Sequence, residues 1–132
     1  MVQRYLEDID VHGEISLVFF NGLMSHVVEK RATLTQGALT DPNMHQAVVQ
    51  VGQADARYWQ WGEEIRRVLH QYERDLTGRD ELFLFNRVDV VPDSEGSFRV
   101  MEVSLVDADL YLEATPHALG AFADAITTRA FW

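Results

Sequence analysis

Residues 86–104 read NRVDVVPDSEGSFRVMEVS, a pattern that predicts two β-strands joined by a tight turn. In the PDSEG segment, Pro fixes φ, Asp and Ser can bond to the nearby backbone, and Gly accepts a positive φ. The flanking segments 81–91 and 97–106 are rich in β-branched and aromatic residues, which favour strands. We therefore expect an antiparallel hairpin at this position.

Side-chain alternation predicts a polar face on this hairpin. Successive side chains of a strand point to opposite faces, so the apolar set must lie together in the core. This expected core set is Val88, Val90, Met101, Val103 and Leu105. A slip by one residue would turn a strand over, so the register is fixed to within two residues. The opposite face then carries Arg87, Asp89, Val100, Glu102 and Ser104. Asp89 and Glu102 should be direct or diagonal neighbours in this set, with their Cβ atoms roughly 5–8 Å apart.

Two arrangements can offset the repulsion between Asp89 and Glu102. Arg87 on the same face can neutralise the pair, and such charged faces are common on solvated surfaces. A divalent cation can also neutralise it, because oxygen ligands suit Mg²⁺, which usually keeps several waters and binds the phosphates of a ligand. The pattern of residues alone leaves both arrangements open.

The N-terminal part of the chain predicts a second hairpin. EISLVFF (14–20) and LMSHVVEK (23–30) flank the dipeptide NG, a strong signal for a two-residue turn. Before them, QRYLEDI (3–9) can form another short strand. Residues 31–54 show no clear periodicity and are expected to form a long loop.

Two helices complete the predicted fold. Asp55 can cap a helix that runs to about Leu76, and Thr115 can cap a last helix that opens with Pro116. The buried stripe of the first helix is expected at Trp61, Ile65, Val68, Leu69 and Tyr72, with Tyr58 and Trp59 also in the core. The stripe of the last helix is expected at Leu119, Phe122, Ala123, Ile126 and Ala130. This order of elements predicts an α+β fold, an antiparallel β-sheet with helices packed on one face.

The composition excludes several classes of function. The 132 residues suffice for a single domain, spanning 1–132, with a real core. A net charge of −10 without a basic cluster argues against nucleic acid as a partner. No apolar run approaches the ~20 residues of a membrane span, and the first residues lack the apolar core of a signal peptide. The absence of cysteine fits a cytoplasmic protein and excludes a thiol nucleophile or thiolate metal site. The five histidines lack the spacing of a zinc site.

Four stretches of the chain resemble a known family. They are VQRYLEDIDVHGEISLVFFNGLMSHVVEKR (2–31), NRVDVV (86–91), MEVSLVDADLYL (101–112) and AFADAI (121–126). In this order they resemble the C-terminal half of an ATP-grasp domain, as found in glutathione-synthetase-like and cycloserine-synthetase-like carboxylate–amine ligases. Residues 32–80 match this pattern poorly.

The resemblance implies a ligase that depends on ATP and Mg²⁺. Such enzymes activate a carboxylate as an acyl phosphate, which an amine or similar nucleophile then attacks. By the family's motifs, Asp89 would hold Mg²⁺, Glu102 would bridge the metals, and Ser104 takes the position of a third metal ligand. Arg87 and Lys30 match basic positions and are assigned to the nucleotide cofactor, whereas no residue is assigned a catalytic role.

Three departures from the family pattern lead us to expect that the chain does not catalyse ligation alone. The earlier subdomain of the ATP-grasp, with its nucleotide-binding Lys, has no counterpart in these 132 residues. Ser104 stands where the family has Glu or Asn, and a hydroxyl is a weaker Mg²⁺ ligand. Residues 35–49 contain no Arg, although the corresponding family loop carries one.

Three interpretations therefore remain at this point. The chain can be one part of an ATP-grasp ligase, with a missing N-terminal lobe as its partner. It can be a degenerate, non-enzymatic module that kept the fold and binds a partner or a second copy of itself. It can also be an ordinary small α+β binding module whose motifs match by coincidence.

Overall fold

The computed structural model of the chain describes residues 5–30, 49–51 and 55–131. The helices are α1 (Asp8–His12), α2 (Ala56–Thr77) and α3 (Ala118–Ala130). The strands are β1 (Glu14–Phe20), β2 (Leu23–Lys30), β3 (Val49–Val51), β4 (Phe85–Pro92) and β5 (Phe98–Ser104). The predicted α+β class is confirmed. Within these ranges, no helix combines the length and the apolar character needed to cross a bilayer.

The strands form one antiparallel sheet in the order β3-β2-β1-β4-β5. Asn21 and Gly22 join β1 to β2 with positive φ values of 46° and 73°, as a two-residue hairpin turn requires. Between β4 and β5, the Asp93 carboxylate accepts hydrogen bonds from the backbone N–H groups of Glu95 and Ser97 at 3.0 and 2.9 Å. Local turn chemistry thus supports both predicted hairpins.

One face of the sheet packs against α2 and forms the larger apolar core. This cluster consists of Ile15, Leu17, Phe19, Met24, Val27, Tyr58, Trp61, Ile65, Val88 and Val90. The residues from β1 and β4 come from alternate positions, as strand geometry requires. Gly62 allows the close approach of α2, because a Cβ at this position would lie 2.6 Å from Sδ of Met24.

The opposite face is covered in part by α3. Val18 and Phe20 of β1 pack against Ala118 and Ala125, and Phe122 lies half-buried beside them. The long helices α2 and α3 therefore cover opposite faces, and the expectation of helices on a single face is wrong. Both faces need cover because β1 and β4 are buried at almost every consecutive position.

Two predictions for strand and loop segments were wrong where the structure describes them. Residues 8–9, predicted as the end of a strand, belong to α1, whereas residues 3–4 lie outside the described ranges. In the predicted loop 31–54, Val49–Val51 form the edge strand β3, and the remaining positions lie outside the described ranges. A three-residue strand is too short for sequence periodicity to reveal it.

The buried stripe of α2 agrees with the prediction near the start of the helix. Tyr58 and Trp61 are buried, but Trp59 is 46% exposed. Further along, Val68 and Tyr72 are 64% and 57% exposed, contrary to the prediction. The C-terminal part of α2 thus extends beyond the apolar core.

The side that α3 turns toward the sheet shares only Phe122 with the predicted stripe. Leu119 and Ile126 of the predicted stripe are 52% and 44% exposed. Ala118 and Ala125 contact the sheet in their place. The small alanine side chains let the helix backbone lie close to β1, and no sequence pattern of large apolar residues signals such a contact.

Thr115 does not cap α3. Its Oγ1 donates to the carbonyl of Tyr111 at 2.8 Å, and α3 begins only at Ala118. The backbone N–H groups of Ala114 and Thr115 donate to the same carbonyl at 3.0 Å each. Thr115 therefore closes a tight loop in front of the helix.

Candidate functional site

Asp89 and Glu102 are direct partners across β4 and β5. Arg87 pairs with Ser104, so side-chain alternation places these four residues on one face, the face that α3 also covers. The predicted juxtaposition of the two acidic residues is confirmed. It arises because two ordinary strands are held in register by the turn between them.

A β-bulge lies directly beside this pair. Asp89 faces Glu102, but the next pair is Val90 with Val100, so Met101 is the extra residue in β5. The bulge moves Val100 to the face of Val90, and the expectation that Val100 shares the polar face is wrong. Val100 and the predicted core residue Val103 are 47% and 43% exposed, because β5 is the outermost strand.

The Asp89 carboxylate is buried and receives contacts from three side chains. Asp89 is only 2% exposed. Its Oδ1 accepts hydrogen bonds from Oγ of Ser16 at 2.6 Å and from Nε of Arg87 at 3.0 Å. Its Oδ2 lies 3.0 Å from Nη2 of Arg87 and 3.4 Å from Nζ of Lys30. A buried carboxylate is tolerated only when it is paired and hydrogen-bonded, and both conditions are met here.

Arg87 is the cation that both carboxylates share. Besides its two contacts with Asp89, its Nη2 lies 3.3 Å from Oε1 of Glu102. Its Nη1 donates to the backbone carbonyl of Asp109 at 3.3 Å. Burial alone would lower the pKa of Arg87, but the negative charge of Asp89 and Glu102 outweighs it and raises the pKa.

Lys30 links the same carboxylate to the next strand. It pairs with Glu14 across β1 and β2, and its Nζ forms a salt bridge with the Glu14 carboxylate. Burial would lower the pKa of Lys30, but Glu14 and Asp89 raise it on balance. We call the group of Glu14, Lys30, Arg87, Asp89 and Glu102 the ionic cluster. It contains three carboxylates and two cations, so one negative charge is in excess.

The loop before α3 closes over the ionic cluster with an aromatic ring. The centroid of the Tyr111 ring lies 5.7 Å from Nζ of Lys30 and 5.8 Å from Cζ of Arg87, within the range of cation–π attraction. Tyr111 adopts a φ of 52°, which is uncommon for a non-glycine residue. The Asp109 carboxylate accepts a hydrogen bond from the Tyr111 N–H at 2.8 Å.

Sequence reasoning did not find three of these contacts. Ser16 and Glu14 occupy alternate positions of β1, a polar pattern that can be seen in the segment EISLVFF. Tyr111 carries no local signal, because only the folded loop brings its ring to strands that are distant in sequence.

His26 lies on the same face and has a structural role. Its Nε2 lies 2.9 Å from the Leu110 carbonyl and its Nδ1 lies 3.1 Å from Oγ of Ser25. Burial lowers the pKa of His26, and the neighbouring His117 lowers it further. The neutral ring can thus donate to the Leu110 carbonyl and accept from Ser25, which ties β2 to the loop before α3.

The comparisons with known proteins agree with the resemblance. The cycloserine biosynthesis protein DcsG of Streptomyces lavendulae is 30% identical over 133 aligned residues, which cover 98% of this chain and 42% of DcsG. The crystal structure of D-cycloserine synthetase DcsG matches with a TM-score of 0.71 over 96% of this chain and 41% of that one. The chain is related to the ATP-grasp carboxylate–amine ligases. It spans about two-fifths of the length of these relatives.

More distant structures share the fold of these ATP-grasp ligases. D-alanine–D-alanine ligase from Bacillus anthracis, solved in complex with ATP, matches with a TM-score of 0.52 and 18% identity. The match covers 87% of this chain and 36% of the ligase. No protein-family model matches the chain.

The donor atoms of the site fit the Mg²⁺ that the ATP-grasp relation implies. Asp89 and Glu102 offer carboxylate oxygens on one face, and Oγ of Ser104 donates to Oε1 of Glu102 beside them. The Glu102 side chain is 57% exposed and can therefore be reached from solvent. Oxygen donors of this kind suit a hard cation that retains several waters. Within the described ranges, no group of three or more His, Asp or Glu side chains is placed to hold a metal ion.

Proposed function

We propose that the ionic cluster is the metal- and phosphate-binding part of an ATP-grasp carboxylate–amine ligase. In this proposal Asp89 and Glu102 hold Mg²⁺, with Ser104 as a third oxygen donor. Arg87 and Lys30 contact phosphate oxygens of ATP. The observation that carries the proposal is the direct pairing of Asp89 with Glu102, in a chain that is 30% identical to DcsG.

The burial of the cluster supports this role. Arg87 and Lys30 have side chains that are only 11% and 15% exposed, and both are fixed by contacts with Asp89. Cations held in a partly dry site interact more strongly with phosphate than solvated cations do. Positive charge held close to the transferred group stabilises the negative charge that moves during phosphoryl transfer.

The proposed chemistry has two steps. A carboxylate oxygen attacks the γ-phosphorus of ATP and the bond to ADP breaks; an amine then attacks the acyl carbon and phosphate leaves. Mg²⁺, when bound, would neutralise phosphate oxygens during the first step. Arg87 and Lys30 would orient the phosphoryl group through charge-assisted hydrogen bonds.

We propose that these residues supply only one side of the complete site. The chain spans 42% of DcsG, so the acceptor pocket and other nucleotide contacts would come from a further part of such a ligase. Residues 35–49 contain no Arg. Positions 35–48 of this segment lie outside the described ranges. On this proposal the 132 residues bind Mg·ATP but do not complete the ligation.

A second candidate function is a non-enzymatic module that kept the fold and uses it for binding or dimerisation. Two observations favour it. Both oxygens of Asp89 already accept contacts from Ser16, Arg87 and Lys30. The third oxygen donor, Ser104, is neutral, which weakens a metal site.

Calorimetric titration with Mg·ATP distinguishes the two candidates. We expect heat of binding in the wild type, loss of it in Asp89→Asn, and binding at least about tenfold weaker in Glu102→Gln. Glu102 is exposed, so its variant should fold even if Asp89→Asn does not. Glu95→Gln, in the turn of the same hairpin, is the matched control that removes one exposed charge. No heat in the wild type would favour the non-enzymatic module, and equal heat in all four proteins would place the nucleotide elsewhere.

A further inference from the structure

Arg87 is held by three acceptors, two carboxylates of the ionic cluster and one backbone carbonyl of the loop before α3. Its Nε and Nη2 make two contacts with Asp89, both at 3.0 Å. The same Nη2 lies 3.3 Å from Glu102, and Nη1 donates to the carbonyl of Asp109 at 3.3 Å. The ring of Tyr111 lies against the guanidinium on the side of the loop. Every nitrogen of the guanidinium therefore has an acceptor.

The two carboxylates do not depend on Arg87 equally. Asp89 has further donors in Ser16 and Lys30, so its charge remains partly compensated when Arg87 moves. Glu102 has Ser104 as its only other close donor among the described residues. The oxygens that face Nη2, Oδ2 of Asp89 and Oε1 of Glu102, are the ones that a shared divalent cation would use.

A positive charge between two carboxylates opposes a second cation at the same oxygens. The electrostatic cost is large in a partly buried site, because repulsion between two cations is screened less there than in water. Phosphate changes this balance, because it offers the guanidinium a bidentate anionic partner. Arg87 can then leave the carboxylates for phosphate without losing its pairing.

We infer that Arg87 is a built-in competitor of the metal. It occupies the shared oxygens of Asp89 and Glu102, keeps a free divalent cation from binding, and releases them when phosphate arrives with the cation. This inference rests on the proposed function and deepens it, since it makes metal and nucleotide binding mutually dependent. Such coupling is reciprocal, so the nucleotide should raise the affinity for the metal by the same factor as the metal raises that for the nucleotide.

Mn²⁺ alone is the probe for this inference, with affinity measured by calorimetry on the full chain. We expect the wild type to bind Mn²⁺ weakly without nucleotide. Arg87→Met should bind Mn²⁺ alone about tenfold more tightly or better, because a positive charge has been removed from the shared oxygens. If Arg87 had only a structural role, its removal would leave the affinity for Mn²⁺ unchanged or lower it. A gain in Mn²⁺ affinity therefore identifies Arg87 as a competitor of the metal.

Matched variants test the alternative explanations. Arg66→Met removes an equal charge from an exposed pair with Glu63 on α2 and should leave Mn²⁺ binding unchanged. Arg87→Lys keeps the charge but cannot reach both carboxylates with a planar group. It should tighten Mn²⁺ binding by a smaller factor, and it serves as the test if Arg87→Met does not fold.

The outcomes separate this inference from the proposed function. If the wild type binds Mg·ATP but neither Arg87 variant binds Mn²⁺ more tightly than the wild type, the inference is wrong and the proposed function stands. If Arg87→Met gains Mn²⁺ affinity while the wild type binds no Mg·ATP, Arg87 is a competitor but the proposed function fails. Equal gains in Arg87→Met and Arg66→Met would show a general charge effect and overturn the inference.

Discussion

The two faces of the sheet bury neighbouring residues by different physical means. Val88 and Asp89 are consecutive in β4 and are 0% and 2% exposed. Val88 lies among apolar side chains under α2, whereas Asp89 lies among Ser16, Arg87 and Lys30. Apolar burial stabilises the fold directly. A buried ion pair must first repay the loss of hydration, and apolar residues in its place are often no less stable. Stability alone therefore does not account for the ionic cluster, which supports a functional role.

The largest expected loss of stability from a single substitution is at Arg87 in the ionic cluster. Arg87→Met leaves Asp89 without its principal partner and should lower the free energy of unfolding by about 3–5 kcal/mol. The double variant with Asp89→Asn should recover part of this loss, because a neutral amide needs no counter-ion. Urea unfolding measures both values, with Arg66→Met as the control. A cost below about 1 kcal/mol for Arg87→Met would show that the buried charge does not depend on this residue.

A similar loss is expected on the apolar face from a different cause. Leu17 is fully buried under α2, and Leu17→Ala should cost about 2–5 kcal/mol through lost burial and a residual cavity. The loss should persist in high salt, since no charge is involved. Leu119→Ala, at a half-exposed position of α3, should cost no more than about 1 kcal/mol. Equal losses at the two positions would contradict the assignment of the core.

The apolar face also contains a group that titrates in alkali. The Tyr58 hydroxyl lies 3.1 Å from Oε1 of Glu29, and burial together with this carboxylate raises the pKa of Tyr58 to about 12. The unfolded chain then loses the proton near pH 10, before the folded chain does. The contribution of Tyr58 to stability is thus complete below pH 10 and lost as the pH rises toward about 12.

Unfolding curves of the wild type and Tyr58→Phe between pH 9 and about 12 test this contribution. The difference in free energy of unfolding should shrink as the pH rises through this range. Tyr72→Phe, which removes an exposed hydroxyl from the same helix, is the control and should follow the wild type. A difference that stays constant with pH would show that Tyr58 is not a buried donor to Glu29.

The smallest expected effect is a loss of stability in acid that depends on His26, which lies on the same face of the sheet as the ionic cluster. Its lowered pKa means that the unfolded chain takes up a proton near pH 6.5, whereas the folded chain resists protonation. The contribution of His26 is therefore present above pH 6.5 and falls below it, by at most about 1.4 kcal/mol per pH unit. His26→Gln should reduce the slope of stability between pH 7 and about 5. An unchanged slope in this variant, relative to His12→Gln, would contradict the burial of a neutral ring.

Local features of the sequence predicted a large part of this molecule. The turns at Asn21–Gly22 and Asp93–Ser97 fixed both hairpins, and the alternation of β4 and β5 brought Asp89 opposite Glu102. These features depend on the conformational preferences of few residues and on strict strand geometry. The helix α2, with a cap at Asp55, followed from the same kind of signal.

The features that sequence reasoning missed depend on distant contacts. The burial of Asp89 was not predicted, because the pattern of a strand does not tell whether another element covers its polar face. The ring of Tyr111 reaches Lys30 only because the loop before α3 folds over the sheet. The helix α3 packs through Ala118 and Ala125, whose short side chains give no strong amphipathic signal. In each case the partner lies far away in the chain.

The location of bound metal shows directly whether the ionic cluster is the metal site. We would add Mn²⁺ in small amounts to the isotopically labelled chain in the presence of ATP and record which backbone amide signals broaden. We expect broadening to begin at the residues around Asp89 and Glu102, and we expect Glu102→Gln to reduce it there while Glu95→Gln does not. Broadening that begins instead at exposed acidic positions such as Asp75 or Glu113, and that Glu102→Gln leaves unchanged, would contradict the claim that the ionic cluster binds the metal and its phosphate.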